Sequence, residues 1–255
     1  MRFQLLAARL ALAALVLAAL MAGAAVAGVR LKLMPFASGL ALMTPAVAMA
    51  VIALICALAW LARALKRNEG SGRRAGLIAL LGSLALLWPP LHTLYGGLTS
   101  PPLHDVATDP EDPPPFVALA KQRRPGMNPI AFDATRRITF RGETGTTAYI
   151  LHEYYPQLTK PVALIMTPNK MFWRSFEAAK RMGWTIVDSS EQQGRIEATS
   201  ASFWFGQLSD IAIRIERAGA LGARLDVRAA SETGDKDFGR NLALLKDYFR
   251  ELNRR

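Results

Sequence analysis

Gly194-Arg-Ile-Glu-Ala-Thr-Ser, Asp210-Ile-Ala-Ile-Arg-Ile, Arg224-Leu-Asp-Val-Arg-Ala-Ala-Ser and Gly234-Asp-Lys-Asp-Phe-Gly-Arg-Asn read as three strands and a helix start. In each strand apolar residues alternate with polar or charged ones, the period of a β-strand with two unlike faces. Ile196, Ala198, Ile211, Ile213, Ile215, Leu225 and Val227 share one face, which must be covered. Arg195, Glu197, Thr199, Asp210, Arg214, Arg224, Asp226 and Arg228 share the other and make a two-signed ladder of cross-strand pairs.

Working outward, Trp184 to Asp188 adds a strand. Pro168 to Met182 is a helix: proline suits its first turn, Phe172, Phe176 and Ala179 recur at helical spacing, and Gly183 suits a left-handed stop. Asp235 to Leu252 is expected as the last helix, with Phe238, Leu242, Leu245 and Phe249 on one stripe. Asp237, Gly239 and Asn241 read as its cap and a tight turn. This order implies an α+β fold, an antiparallel sheet with helices packed on one face. Trp204-Phe205-Gly206, between two strands, is a core plug, the lip of an apolar pocket or a bilayer-dipping tip.

The N-terminal part is of another kind. Leu10–Val29, Leu40–Ala62 and Ala75–Leu98 are apolar runs, each of about the 20 residues that a membrane-spanning helix needs. Pro89-Pro90 is expected to break or kink the third. The first also resembles a signal peptide ending at Ala25-Val26-Ala27, although its length favours a retained helix. Arg63, Lys66, Arg67, Arg73 and Arg74 lie between the second and third runs, against Arg30 and Lys32 between the first and second. The positive-inside rule then places the C-terminal domain on the extracytoplasmic side of a bacterial inner membrane.

Residues 99–148 read as a proline-rich linker and an irregular segment, and 149–255 as the compact domain. The linker carries Pro101, Pro102, Pro110, Pro113, Pro114 and Pro115, which favour extended chain. Phe116–Arg124 is expected as a short helix, Arg137–Arg141 as an edge strand, and His152 to Tyr155 as part of a strand-like run.

The chain has 31 basic and 20 acidic residues, a net charge of +11. Residues 1–100 hold Glu69 as their one acid against nine arginines and lysines, so most of the excess flanks the apolar runs. That distribution argues against nucleic acid as a partner, which needs basic residues gathered on a folded face. The bilayer is the expected partner, with an envelope protein or an anionic small molecule as a further one. Cys56 is the single cysteine, so neither a disulfide framework nor a cysteine-based metal site forms within one chain. His104, Asp105 and Asp109 fall short of a converging ligand set, and neither a cofactor nor a metal is expected.

Met182-Gly-Trp-Thr-Ile-Val, the four stretches quoted first, Trp204-Phe-Gly and His104-Asp-x-x-Thr-Asp-x-x-x-Pro-Pro-x-Phe together resemble domain-of-unknown-function family 1499, over about residues 103–252. The resemblance implies the fold and an N-terminal signal or membrane helices; it implies no activity. Many members carry an acid where this chain has Ser209, and Ser and Arg where it has Ala230 and Glu232-Thr233.

Neither a Ser-His-Asp order, nor a phosphate loop, nor HExxH is present, so no catalytic residue is assigned. Arg195, Glu197, Asp210, Arg214, Asp226 and Arg228 are the ligand-binding candidates. Their ladder is either a solvated face or an arginine-rich concavity that grips a carboxylate or phosphate under the proline-rich stretch. The expected role is binding or scaffolding at the envelope. The alternative is a hydrolase- or transferase-like enzyme acting on an anionic substrate at this face.

Overall fold

The computed structural model describes residues 2–67, 72–159 and 162–254. Two compact units emerge, residues 1–95 with Phe203–Gly206, and Gly96–Ser202 with Gln207–Arg255.

Three helices begin the chain: α1 (Arg2–Arg30), α2 (Phe36–Arg67) and α3 (Arg73–Thr99). All three are long and apolar enough to cross a membrane, with mean hydropathies of 2.5, 2.4 and 1.6. Their packing rests on small side chains. Ala8, Ala11, Ala14, Ala18, Ala22 and Ala25 of α1 are buried, as are Ala46, Ala50, Ala53 and Ala57 of α2. Steps of three and four residues keep these alanines on one stripe of each helix, and methyl groups let two backbones approach closely. Gly76 of α3 serves the same end, because a Cβ there would collide with the Trp60 ring. The expected break at the proline pair is not found: α3 runs through Pro89 and Pro90. Within membrane helices, neighbouring groups make good the backbone hydrogen bonds that proline removes.

Among the described residues, the second unit holds eight strands. Six build an antiparallel sheet: β1 (Asp105–Ala107), β4 (Val162–Leu164), β5 (Thr185–Ser190), β6 (Arg195–Ala201), β7 (Leu208–Ala218) and β8 (Gly222–Ser231). The order runs β1-β8-β7-β6-β5, and β4 shares the outer edge of β8 with β1. The register pairs Glu197 with Ala212, Ala212 with Arg228, Arg195 with Arg214, and Arg214 with Asp226. Gly194 turns the chain into β6 at a φ of 60°, where a Cβ would strike the Ile215 carbonyl. Here glycine is required.

Helices α5 (Pro168–Arg181) and α6 (Arg240–Leu252) cover one face. Thr167 caps α5 by accepting from the Lys170 N–H, and Pro168 opens it. The core joins Met171, Phe172, Ala178 and Ala179 of α5, Leu242, Leu245, Tyr248 and Leu252 of α6, and the isoleucines of β6 and β7. Trp184 stacks on Tyr248 with ring centroids 5.2 Å apart. Burying a Leu- or Ile-sized side chain contributes about 1.5–3 kcal/mol, so this face carries most of the hydrophobic stabilisation.

Several local expectations are corrected. The run from His152 to Tyr155 is not a strand: His152, Glu153 and Tyr154 lie in α4 (Thr147–Tyr154), and Tyr155 caps it. Thr146 supplies its N-cap by accepting from the Tyr149 N–H, a local signal that outweighs aromatic strand propensity. The last helix starts at Arg240, because Phe238 and Gly239 both take positive φ angles. Phe238 is therefore exposed, whereas Leu242 and Leu245 are buried, Phe249 packs partly buried against the core, and Tyr248 is buried beside it. Arg137–Phe140 forms β2, which pairs with β3 (Glu143–Thr146) in a separate two-stranded sheet. The short helix expected over 116–124 is a single 3-10 turn, Leu119–Gln122. Phe203 and Trp204 are exposed, so they do not plug the core.

Candidate functional site: the charged sheet face and its strap

Strand alternation carries charged side chains to the face opposite α5 and α6, and the proline-rich stretch lies across that face as a strap. Prolines hold the strap extended and withhold N–H donors that would otherwise need partners. It enters as β1, antiparallel to β8 at Arg228–Ala230. Thr108 continues the pairing: its N–H donates to the Val227 carbonyl, and its hydroxyl accepts from the Val227 N–H at 3.0 Å. Phe116 and Leu119 then pack on Ala212 and Ala230, the small residues of the charged face.

Each candidate residue meets a partner. Arg195 donates to Asp188 at 2.7 Å and to Glu197. Glu197 has no exposed surface and accepts three backbone N–H groups, from Val117 (3.0 Å), Ala118 (3.0 Å) and Leu119 (2.9 Å). A sheet carboxylate thus caps the strap's 3-10 turn, the role usually taken by a local Ser or Asp. Arg214 reaches Asp112 at 2.9 Å and Asp226 at 3.1 Å. Asp226, also 0% exposed, takes a second arginine, Arg224, at 2.9 Å. Arg224 in turn pairs with Asp109 of the strap. Arg228, 3% exposed, grips Asp105 through two N–H groups at 3.0 and 2.6 Å and donates to the Ile130 carbonyl. Its guanidinium lies over the Phe116 ring at 4.5 Å and the Phe132 ring at 5.5 Å.

Asp210 differs from the rest. It is 2% exposed, and its ion-pair partner is Arg123, at 2.8 Å. Burial pushes its carboxyl up to about 7; Arg123 opposes this, while Glu232 and Glu197 reinforce it. One Asp210 carboxylate oxygen and the Arg123 nitrogens lack an aligned hydrogen bond. A carboxyl held near neutrality beside a guanidinium can take up and release a proton at physiological pH. Asp105 is also raised by burial, against the pull of Arg228.

The residues named for other reasons also find their places. Asp237 accepts from the Gly239 and Asn241 N–H groups, both at 2.8 Å, and burial pushes it up to about 6. Asn241, fully buried, donates to the His104 carbonyl at 2.8 Å and so ties α6 to the strap. Asp105 and Asp109 bind different arginines, while His104 faces Arg136, and among the described residues no cluster of metal-ligating side chains forms.

The sequence alone assigns no site role to Asp112, Arg123 or Glu232, and gives Asp105 and Asp109 no arginine partners. One signal was present: the proline-rich stretch 101–115 carries Asp105, Asp109, Glu111 and Asp112 with neither arginine nor lysine, so its acids call for basic partners elsewhere in the chain.

A search of curated proteins found no match to the chain. The family model described as a protein of unknown function (DUF1499) matches residues 105–252, from the first strap strand to the end of α6. The chain therefore belongs to the DUF1499 family, its matched region lying behind three candidate membrane-spanning helices.

Proposed function

We propose that this membrane protein is a tethered binding or scaffold module whose α+β domain stands on the extracytoplasmic side of a bacterial inner membrane. One observation carries the reading: the guanidinium groups of Arg195, Arg214, Arg224 and Arg228 are engaged by the chain's own carboxylates, three of them from the strap. A face closed by its own strap holds the domain together and leaves other surfaces for an envelope protein, lipid or anionic small molecule. The orientation draws on Arg63, Lys66 and Arg67 in the last turns of α2 and Arg73 and Arg74 at the start of α3.

The test is paired. Arg195→Ala and Asp226→Ala in the full-length protein are expected to lower the melting temperature and any cellular phenotype together. Loss of phenotype at an unchanged melting temperature contradicts a scaffold role. A reporter fused after Arg255 is expected to show extracytoplasmic activity; a cytoplasmic signal overturns the orientation.

A second reading keeps Arg195, Glu197, Asp210, Arg214, Asp226 and Arg228 as a ligand or catalytic face exposed by strap opening. It draws on Asp210, whose raised carboxyl suits general acid–base chemistry on an anionic substrate. Asp210→Asn separates the two: an enzyme loses its phenotype with the fold intact, whereas a scaffold keeps it.

A further inference from the structure

Ser200, Ser209 and Ser231 lie side by side in one row across β6, β7 and β8, since Ser200 pairs with Ser209 and Ser209 with Ser231. They sit on the α6 side of the sheet, where the apolar core ends. The first residues of α6 meet this row. Arg240 donates to the Ser209 hydroxyl at 2.6 Å, the Ser200 carbonyl at 2.9 Å and the Ser200 hydroxyl at 3.3 Å. Asn241 accepts from the Ser209 hydroxyl at 2.8 Å and donates to the Ser231 hydroxyl at 3.1 Å.

Arg240 departs from the arginines of the charged face. Each of those has a carboxylate within ion-pairing distance, whereas Arg240 is held by neutral oxygens among the described residues. Burial lowers its pKa from the usual arginine value, and Asp237 opposes that from beyond direct contact. The Asp237 oxygens are spent on two backbone N–H groups. A half-buried charge without a direct counter-ion is costly, and a bound anion removes that cost.

Hydrogen-bond accounting points the same way. A guanidinium has five N–H donors, and the Arg240 Nε–H has no acceptor among the described residues. The Ser200 and Ser231 hydroxyls each accept, and neither has an acceptor for its own proton among those residues. The cluster is thus rich in unspent donors. It also lies at the positive end of α6, a 13-residue helix.

We propose that Arg240 with the row Ser200, Ser209 and Ser231 forms a binding site for a phosphate group, supplied as free phosphate or by a lipid headgroup. The unspent guanidinium N–H groups and the Ser200 and Ser231 hydroxyls donate to the phosphate oxygens, while Ser209, whose proton goes to Asn241, holds Arg240 in place. The site lies on the opposite side of the sheet from the strap, so it stands whether or not the scaffold reading holds.

The experiment is a thermal shift on the detergent-solubilised full-length protein, with inorganic phosphate in one arm and short-chain phosphatidic acid in the other, each against sodium chloride at matched ionic strength. Stabilisation in either arm that weakens roughly tenfold or more in apparent Kd in Arg240→Gln supports the site, a loss on the scale of a charge-assisted hydrogen bond. The responding arm identifies the source. Should Arg240→Gln fail to fold, Ser231→Ala, which removes one donor and leaves the arginine, is expected to weaken binding in the same arm. Equal stabilisation of wild type and variants, or none beyond sodium chloride, overturns the proposal.

Discussion

The two faces of one sheet are both buried, by opposite chemistries. On the α5–α6 side, Ile196, Ile211, Ile213, Leu225 and Val227 meet the apolar faces of two amphipathic helices, and the stabilisation is non-directional. On the strap side, Glu197, Asp226 and Arg228 are as deeply buried, yet each is held by named donors or acceptors in a set geometry. Each face is therefore fragile in its own way. An apolar face tolerates a change of shape and suffers from lost volume. A charged face suffers when one partner of a pair is removed and recovers when both are replaced, because the cost lies in the orphaned charge.

The largest expected effect breaks the strap side. Asp105→Ala leaves Arg228 buried without its countercharge and is expected to destabilise by about 3–5 kcal/mol. The double replacement Asp105→Leu with Arg228→Met is expected to recover most of that loss in denaturant unfolding. Failure of the double variant to recover would show that the pair does more than satisfy itself. On the helix side, Leu245→Ala is expected to cost about 2–5 kcal/mol through lost burial and a cavity, with its unfolding midpoint lowered alike at all pH values.

A smaller effect sharpens the contrast through pH. The folded-state carboxyl of Asp210 is raised from 3.8 to about 7, so the folded protein binds more protons than the unfolded chain across that window. Stability is therefore expected to fall as pH rises from the ordinary carboxylate range through about 7. Asp237, raised to about 6, acts in the same sense, so the informative quantity is the difference between wild type and Asp210→Asn. The asparagine variant should give a flatter profile of unfolding midpoint against pH; an unchanged slope would remove Asp210 from the account. Smallest is the solvent-exposed pair of His152 and Glu111, 3.0 Å apart. Exposed pairs contribute little, and Glu111→Gln is expected to leave the melting temperature unchanged.

The helix side was legible because its information is local. Alternation in β6, β7 and β8 names the buried isoleucines, and Pro168 with Gly183 bounds α5. Alternation also assigns Arg195, Glu197, Arg214, Asp226 and Arg228 to one face. Their partners could not be read that way. Asp105, Asp109 and Asp112 reach their arginines across roughly a hundred residues of chain, and proline density marks a strap and a linker alike. Position 197 illustrates the gap: a glutamate in a strand carries no local sign that it caps a turn some 80 residues earlier. In the membrane part, hydropathy locates the spans but is blind to the alanine stripe, since lipid and neighbouring helix are equally apolar.

The strap is an integral part of the domain, locked by Glu197. Amide hydrogen exchange at Val117, Ala118 and Leu119 tests it most directly in the full-length protein, comparing wild type with Glu197→Gln. Protection in wild type, lost at these amides first in the variant while β7 and β8 stay protected, is the expected result. Exchange in wild type at the rate of unstructured chain would contradict the account.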